Sequence, residues 1–162
     1  MTTLVISAEL LEALSTHLEA AYPDEGAGFL FGVLTADQRH VRAVFPLPNR
    51  REAEARHNRF LITAQDYAQA EQRAAEEGFD VIGVFHSHPD SPNVPSEFDR
   101  QWALPYFAYW ITTVNQGKCA AHRVWLLRED RASFVEISFR IVAETPPCVE
   151  SNSAKSREQN SL

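Results

Sequence analysis

Ten consecutive residues, Asp80-Val81-Ile82-Gly83-Val84-Phe85-His86-Ser87-His88-Pro89, restrict the fold of this chain more than any other stretch. The run from Asp80 to Phe85 reads as a buried strand. Side chains alternate along extended backbone, so His86 and His88 emerge together at the strand's end while Ser87 faces the other way. Pro89 removes a backbone donor and stops the ladder. The turn-rich segment Asp90-Ser91-Pro92-Asn93-Val94-Pro95 then returns the chain, so that Asp99 of Ser96-Glu97-Phe98-Asp99 can approach the pair. Two neutral imidazoles and one carboxylate form a three-ligand zinc site that keeps its fourth position for water, the pattern of a catalytic metal rather than a structural one. A lone His-x-His is common at strand ends. The proline, serine and aspartate at these offsets are what favour a metal.

The chain's 162 residues suffice for one domain with a real core. A formal net charge of −7 argues against a general nucleic-acid binder, whose footprint is a basic surface. No apolar run reaches the roughly 20 residues needed to span a bilayer, and Met1-Thr2-Thr3-Leu4 lacks the character of a signal peptide. Two cysteines, Cys119 and Cys148, make a disulfide framework unexpected and a cytoplasmic setting the natural expectation.

Patterning predicts a helix from Ser7 to about Ala21, with Leu11, Leu14 and Leu18 as its apolar stripe and Ser7 as cap, ended by Tyr22-Pro23. Strands are expected at 28–34, 40–45 and, briefly, 60–62. Thr63 opens a second helix with Asp66 in a near capping-box position, Tyr67, Ala70 and Ala74 inward, and Gly78 at its end. A short helix follows from Ser96 to Trp102, then strands at 108–114, 122–127 and 133–139. The result is a mixed α/β (α+β) single domain over residues 1–143, with 144–162 as a disordered tail.

A metal site becomes hydrolytic with a carboxylate to take the proton from the bound water, whose pKa zinc lowers to about 7. Glu25, at a helix-to-strand junction, is a candidate. Residue chemistry alone does not lift it much above Asp24, Asp90 or Glu97.

Glu25, His86-Ser87-His88-Pro89, a six-residue gap and Ser96-x-x-Asp99 together resemble the JAMM (JAB or MPN-plus) metallopeptidases, as does the Tyr-Pro-x-Glu-x-x-Gly context around Glu25. The resemblance spans roughly residues 4–142. It implies a JAB/MPN-like, cytidine-deaminase-like sheet flanked by helices. It also implies zinc ligation by His86, His88 and Asp99, with Glu25 as general base and Ser96 as oxyanion donor. Ser96 is placed to cap the short helix as well, and a hydroxyl can accept and donate at once. The implied reaction uses zinc-bound water to hydrolyse a peptide or isopeptide bond after the C-terminal Gly-Gly of a ubiquitin-like or sulfur-carrier protein. A narrow groove would select glycines by excluding side chains, and an extended tail can add to a sheet edge. A homodimer is compatible with this reading.

The arginine-rich segment 49–59 suits docking of an acidic carrier, or is simply a solvated loop. His57 within it reads as an exposed loop histidine, with a place in the site as the alternative, and His17, His40 and His122 elsewhere are expected to be structural. Trp102, Tyr106, Phe107, Tyr109 and Trp110 are read mainly as core, with groove lining as the alternative, and Cys119 as a small apolar residue. Two competing readings are a non-catalytic zinc-binding scaffold of the MPN type and a RadC-type protein associated with DNA repair. The intact ligand set with its glutamate argues against the first. The acidic chain and its different upstream sequence argue against the second.

Overall fold

A computed structural model describes residues 2–48 and 60–144. The arginine-rich segment 49–59, with His57, and the expected tail from 145 onward lie outside the described residues. The element order is β1 (Thr3–Ser7), α1 (Ala8–Ala21), β2 (Ala27–Leu34), β3 (Gln38–Pro46), α2 (Ala64–Glu76), β4 (Asp80–Pro89), α3 (Glu97–Trp102), β5 (Ala108–Asn115), β6 (Lys118–Leu127), β7 (Phe134–Ile137) and β8 (Phe139–Val142). The strands form one mixed sheet in the order β7-β6-β5-β4-β2-β3-β1-β8. The two outermost strands are separated in sequence by Ser138 alone. The sheet therefore curls until its edges nearly meet, and the Leu4 N–H reaches the Ser138 carbonyl at 3.1 Å.

Both long helices start where their side chains can satisfy orphan N–H groups. Ser7 accepts from the Leu10 N–H, and Thr63 and Asp66 form a reciprocal capping box. Helix α1 touches β1, β3, β4, β5 and β6, as an element inside the curl must. Its Leu14 and Leu18 join Leu30, Ile82, Phe85 and Trp110 in one fully buried cluster. Helix α2 covers the opposite face, where Ala70 and Ala74 pack with Phe29, Phe31, Val84 and Tyr109. Alternation along β2 thus feeds both cores. Among the described residues no helix is long and apolar enough to cross a membrane.

One strand was not expected, and two expectations change. Thr3–Ser7 is a strand, paired in parallel with β3 and β8. Residues 60–62 form no strand; they are irregular chain beside the candidate site. The run expected as one strand over 133–139 divides at Ser138. Its first part pairs with β6 and its second with β1, at opposite edges of the sheet.

Candidate metal centre and hydrolytic site

Strand β4 lies between β2 and β5, so the histidine pair is set into the middle of the sheet. Ile82 is the extra residue of a bulge against β2, and beyond it the alternation is regular. His86 and His88 face the α2 side with Val84, and Ser87 faces the α1 side with Phe85. The two Nε2 atoms are 3.2 Å apart. Asp99 closes the group from α3, with Oδ1 3.2 Å from His86 Nε2 and Oδ2 3.2 Å from His88 Nε2.

These distances fit a metal. Tetrahedral bonds of about 2.0 Å place neighbouring ligand atoms about 3.3 Å apart, close to the spacing observed for each pair. The tautomer fits as well. His88 Nδ1 lies 2.7 Å from the Pro92 carbonyl, which can only accept. The ring proton is therefore on Nδ1, and Nε2 of the neutral ring offers its lone pair to the centre. Among the described residues, His86, His88 and Asp99 are positioned to hold a metal ion.

Asp99 reaches this position through a local device. Ser96 Oγ accepts the Asp99 N–H at 3.1 Å, and Asp99 Oδ2 accepts the Ser96 N–H at 2.8 Å. One carboxylate thus completes a capping box and faces both imidazoles. The Ser96 hydroxyl accepts within the cap, so its own proton remains available to a further acceptor.

Glu25 precedes β2, in the loop that follows the cis Tyr22–Pro23 bond. Two contacts aim it. The Phe60 N–H donates to Oε2 at 2.8 Å. At the next residue, the Gly26 N–H donates to Ser87 Oγ at 2.9 Å and the Ser87 N–H donates to the Gly26 carbonyl at 3.0 Å. Glu25 lines two concavities that meet at the metal-binding group. One also contains His86 and Asp99 and has apolar walls of Phe60, Ile62, Tyr67, Phe98, Trp102 and Tyr109. The other contains His88 and Ser96 between Pro89, Pro92 and Pro95. The rival carboxylates are engaged elsewhere or lie apart. Asp90 accepts from the Tyr22 hydroxyl at 2.5 Å and the Gln116 N–H at 2.8 Å. Glu97 pairs with Arg100, and Asp24 lines neither concavity.

The electrostatics follow the burial and the partners. Burial pushes the Glu25 carboxyl upward, and this outweighs the opposing pull of His86, the Phe60 N–H and His88. Burial would raise Asp99 too, but the His86 and His88 imidazoles and the Ser96 N–H hold it far below the usual carboxylate range. Burial works against charge on His86, yet Asp99 and Glu25 lift it above its ordinary value. The group thus favours positive charge at its centre.

The aromatic cluster divides. Trp110 is fully buried and Phe107 packs against the core, Tyr109 and Trp102 line the apolar concavity, and Tyr106 is exposed. His17 and His122 contact the Ala27 carbonyl and Thr112 Oγ1, away from the site. Cys119 is half-buried, its thiol 3.6 Å from the Ser15 carbonyl. Sequence reasoning missed the Ser87–Gly26 clamp, the Phe60 N–H and the Pro92 carbonyl. Backbone donors and acceptors leave no mark in residue identity, although a buried serine between two site histidines is itself a signal.

Comparison with known proteins agrees with this geometry. A probable TtuB-protein conjugate cleaving protease of Thermus thermophilus is 32% identical over 62% of this chain and 65% of its own length. A desampylase of Pyrococcus furiosus is 27% identical over 79% of this chain and 84% of its own. A solution structure from Salinibacter ruber is 37% identical with a TM-score of 0.68, covering 91% of this chain and 95% of that one. The chain spans 65% of the Thermus relative and only 32% of a tail tip assembly protein K from Escherichia phage N15, which is 33% identical over 56% of this chain. Residues 7–127 match the family described as prokaryotic homologs of the JAB domain. With that match covering most of the sequence, the chain belongs to the prokaryotic JAB-domain family.

Proposed function

We propose that this chain is a zinc-dependent metallopeptidase that hydrolyses the bond after the C-terminal Gly-Gly of a ubiquitin-like or sulfur-carrier protein. The observation that carries the reading is the 3.2 Å convergence of His86, His88 and Asp99, with the Glu25 carboxylate lining the same concavity. The relatives named for conjugate cleavage and desampylation support a ubiquitin-like substrate.

A zinc ion held by these three residues would supply Lewis acidity and acidify a water to a pKa of about 7. Glu25 is tethered through Oε2, which leaves Oε1 to take a proton from the attacking water. The carboxyl so formed can return that proton to the leaving amine as the C–N bond breaks. The Ser96 O–H donates to the oxygen that gains charge when water adds to the carbonyl. The concavity between Pro89, Pro92 and Pro95 would receive the glycine tail, because it runs past His88, Glu25 and Ser96 together.

The test offers zinc-loaded protein a panel of ubiquitin-like proteins ending in Gly-Gly, joined through isopeptide or α-peptide bonds, and reads the products by intact mass. Release of a carrier ending in Gly-Gly supports the proposal. Cleavage elsewhere in the carrier, or none across the panel, contradicts it.

A further inference from the structure

Asp99 depends on a short helix that buries little of its own surface. Helix α3 is only six residues long, and none of them is buried. Phe98 and Trp102 contact each other and wall the apolar concavity beside the site. Its N-terminal end is closed by the Ser96–Asp99 capping box, which cannot fix the helix relative to the sheet. At the C-terminal end Ala103 enters the α2-side core and the Leu104 N–H donates to the Tyr109 hydroxyl at 2.6 Å, which leaves the carbonyls of the last turn to be engaged from outside.

Arg131 does this from the turn between β6 and β7. Its Nη1 donates to the Ala103 carbonyl at 2.8 Å. Its Nη2 is 3.2 Å from the Arg100 carbonyl and 3.3 Å from the Gln101 carbonyl. These are the orphan acceptors that every helix leaves at its C-terminus, where a cation is also favoured by the helix dipole. The clamp is reciprocal, because Arg100 Nη1 donates to the Arg131 carbonyl at 2.9 Å. Arg131 itself sits at a positive φ of 62°, in a conformation that non-glycine residues rarely adopt. A planar guanidinium with five donors can bridge three carbonyls in this way, and an ammonium cannot match its fork.

We propose that Arg131 is a positioning residue for the metal centre: by locking the C-terminal end of α3 to the β6–β7 turn, it holds Asp99 at ligating distance from His86 and His88. Arg131 touches neither the ligands nor substrate, and the inference rests on the metal-binding reading of that group.

The experiment measures zinc affinity by competition with a chromophoric chelator, for the wild-type protein, Arg131→Gly and Arg131→Lys, with urea unfolding of each metal-free protein in parallel. Glycine deletes the guanidinium while suiting the positive φ, so side chain and backbone are separated. Residues that orient metal ligands typically contribute about 10–100-fold in affinity. Arg131→Gly is expected to weaken zinc binding at least about tenfold, with a cooperative urea transition retained, and Arg131→Lys to recover part of the loss. Wild-type zinc affinity in Arg131→Gly overturns the proposal. So does a loss of affinity accompanied by loss of cooperative unfolding in both variants, since that describes general structural damage. Failure of the wild-type protein to bind zinc overturns the metal reading itself. Zinc binding without peptidase activity removes only the hydrolase reading, because affinity is read independently of turnover.

Discussion

Replacing Ser87 with alanine tests how the strand that carries the histidines also sets the glutamate. Ser87 is fully buried, and its Oγ accepts the Gly26 N–H at 2.9 Å. Gly26 is buried as well. Alanine fits the space but strands that N–H away from water, and a buried donor left unsatisfied costs about 1–3 kcal/mol. For a domain near this size, each kcal/mol lowers Tm by about 2–4 °C, so a central value of ~2 kcal/mol corresponds to ~4–8 °C. His86 and His88 project from the opposite face, so metal stoichiometry is expected to stay at wild-type level. Glu25 is next to Gly26, and small misplacements of a reacting group can reduce rates by up to about 10²-fold. Turnover should therefore fall while the metal remains bound. Differential scanning calorimetry of the metal-free protein gives the Tm, and hydrogen exchange reports the protection of the Gly26 amide. An unchanged Tm with Gly26 still protected would refute the clamp.

Further expectations concern the ligands, the base and the sheet. His88→Ala removes a ligand atom and the ring held by the Pro92 carbonyl; metal analysis after dialysis should find the site empty, while circular dichroism stays near wild type. Glu25→Gln keeps an acceptor for the Phe60 N–H but removes a buried charge. The folded-state pKa of Glu25 is raised, so this carboxylate detracts from stability above that pKa and ceases to do so below its unfolded value of about 4.3. The variant should accordingly be more stable than wild type at neutral pH in the metal-free state, with the difference vanishing in acid; equal urea midpoints at pH 7 would contradict this. Gly32→Ala would place a Cβ 1.8 Å from the His40 carbonyl oxygen, at the register shift between β2 and β3. Backbone cannot yield cheaply there, so the urea midpoint should drop sharply.

How much of this was readable beforehand depends on how local each signal is. The histidine strand was legible because alternation, a terminal proline and the Ser-x-x-Asp spacing all act within twenty residues. The caps at Ser7 and Thr63 were legible for the same reason. Strand β1 was not, because its apolar residues run directly into the Ser7 cap and its partners β3 and β8 are distant in sequence. The division at Ser138 was hidden too, since alternation continues through it and only the curl of the sheet sends its two sides to different edges. Phe60 to Ile62 has strand-like residues, but that segment supplies a backbone donor and an apolar wall instead. The preference for Glu25 over Asp90 and Glu97 became physical only when their own partners, Tyr22 and Gln116 for one and Arg100 for the other, were visible.

The central claim is that Glu25 moves the proton while His86, His88 and Asp99 hold zinc. A paired measurement addresses it most directly: zinc content and cleavage of one Gly-Gly-linked ubiquitin-like conjugate, for wild type and Glu25→Gln side by side. The account predicts one zinc per chain in both proteins, with cleavage after the Gly-Gly by the wild type and essentially none by Glu25→Gln. Wild-type cleavage by zinc-loaded Glu25→Gln would contradict it.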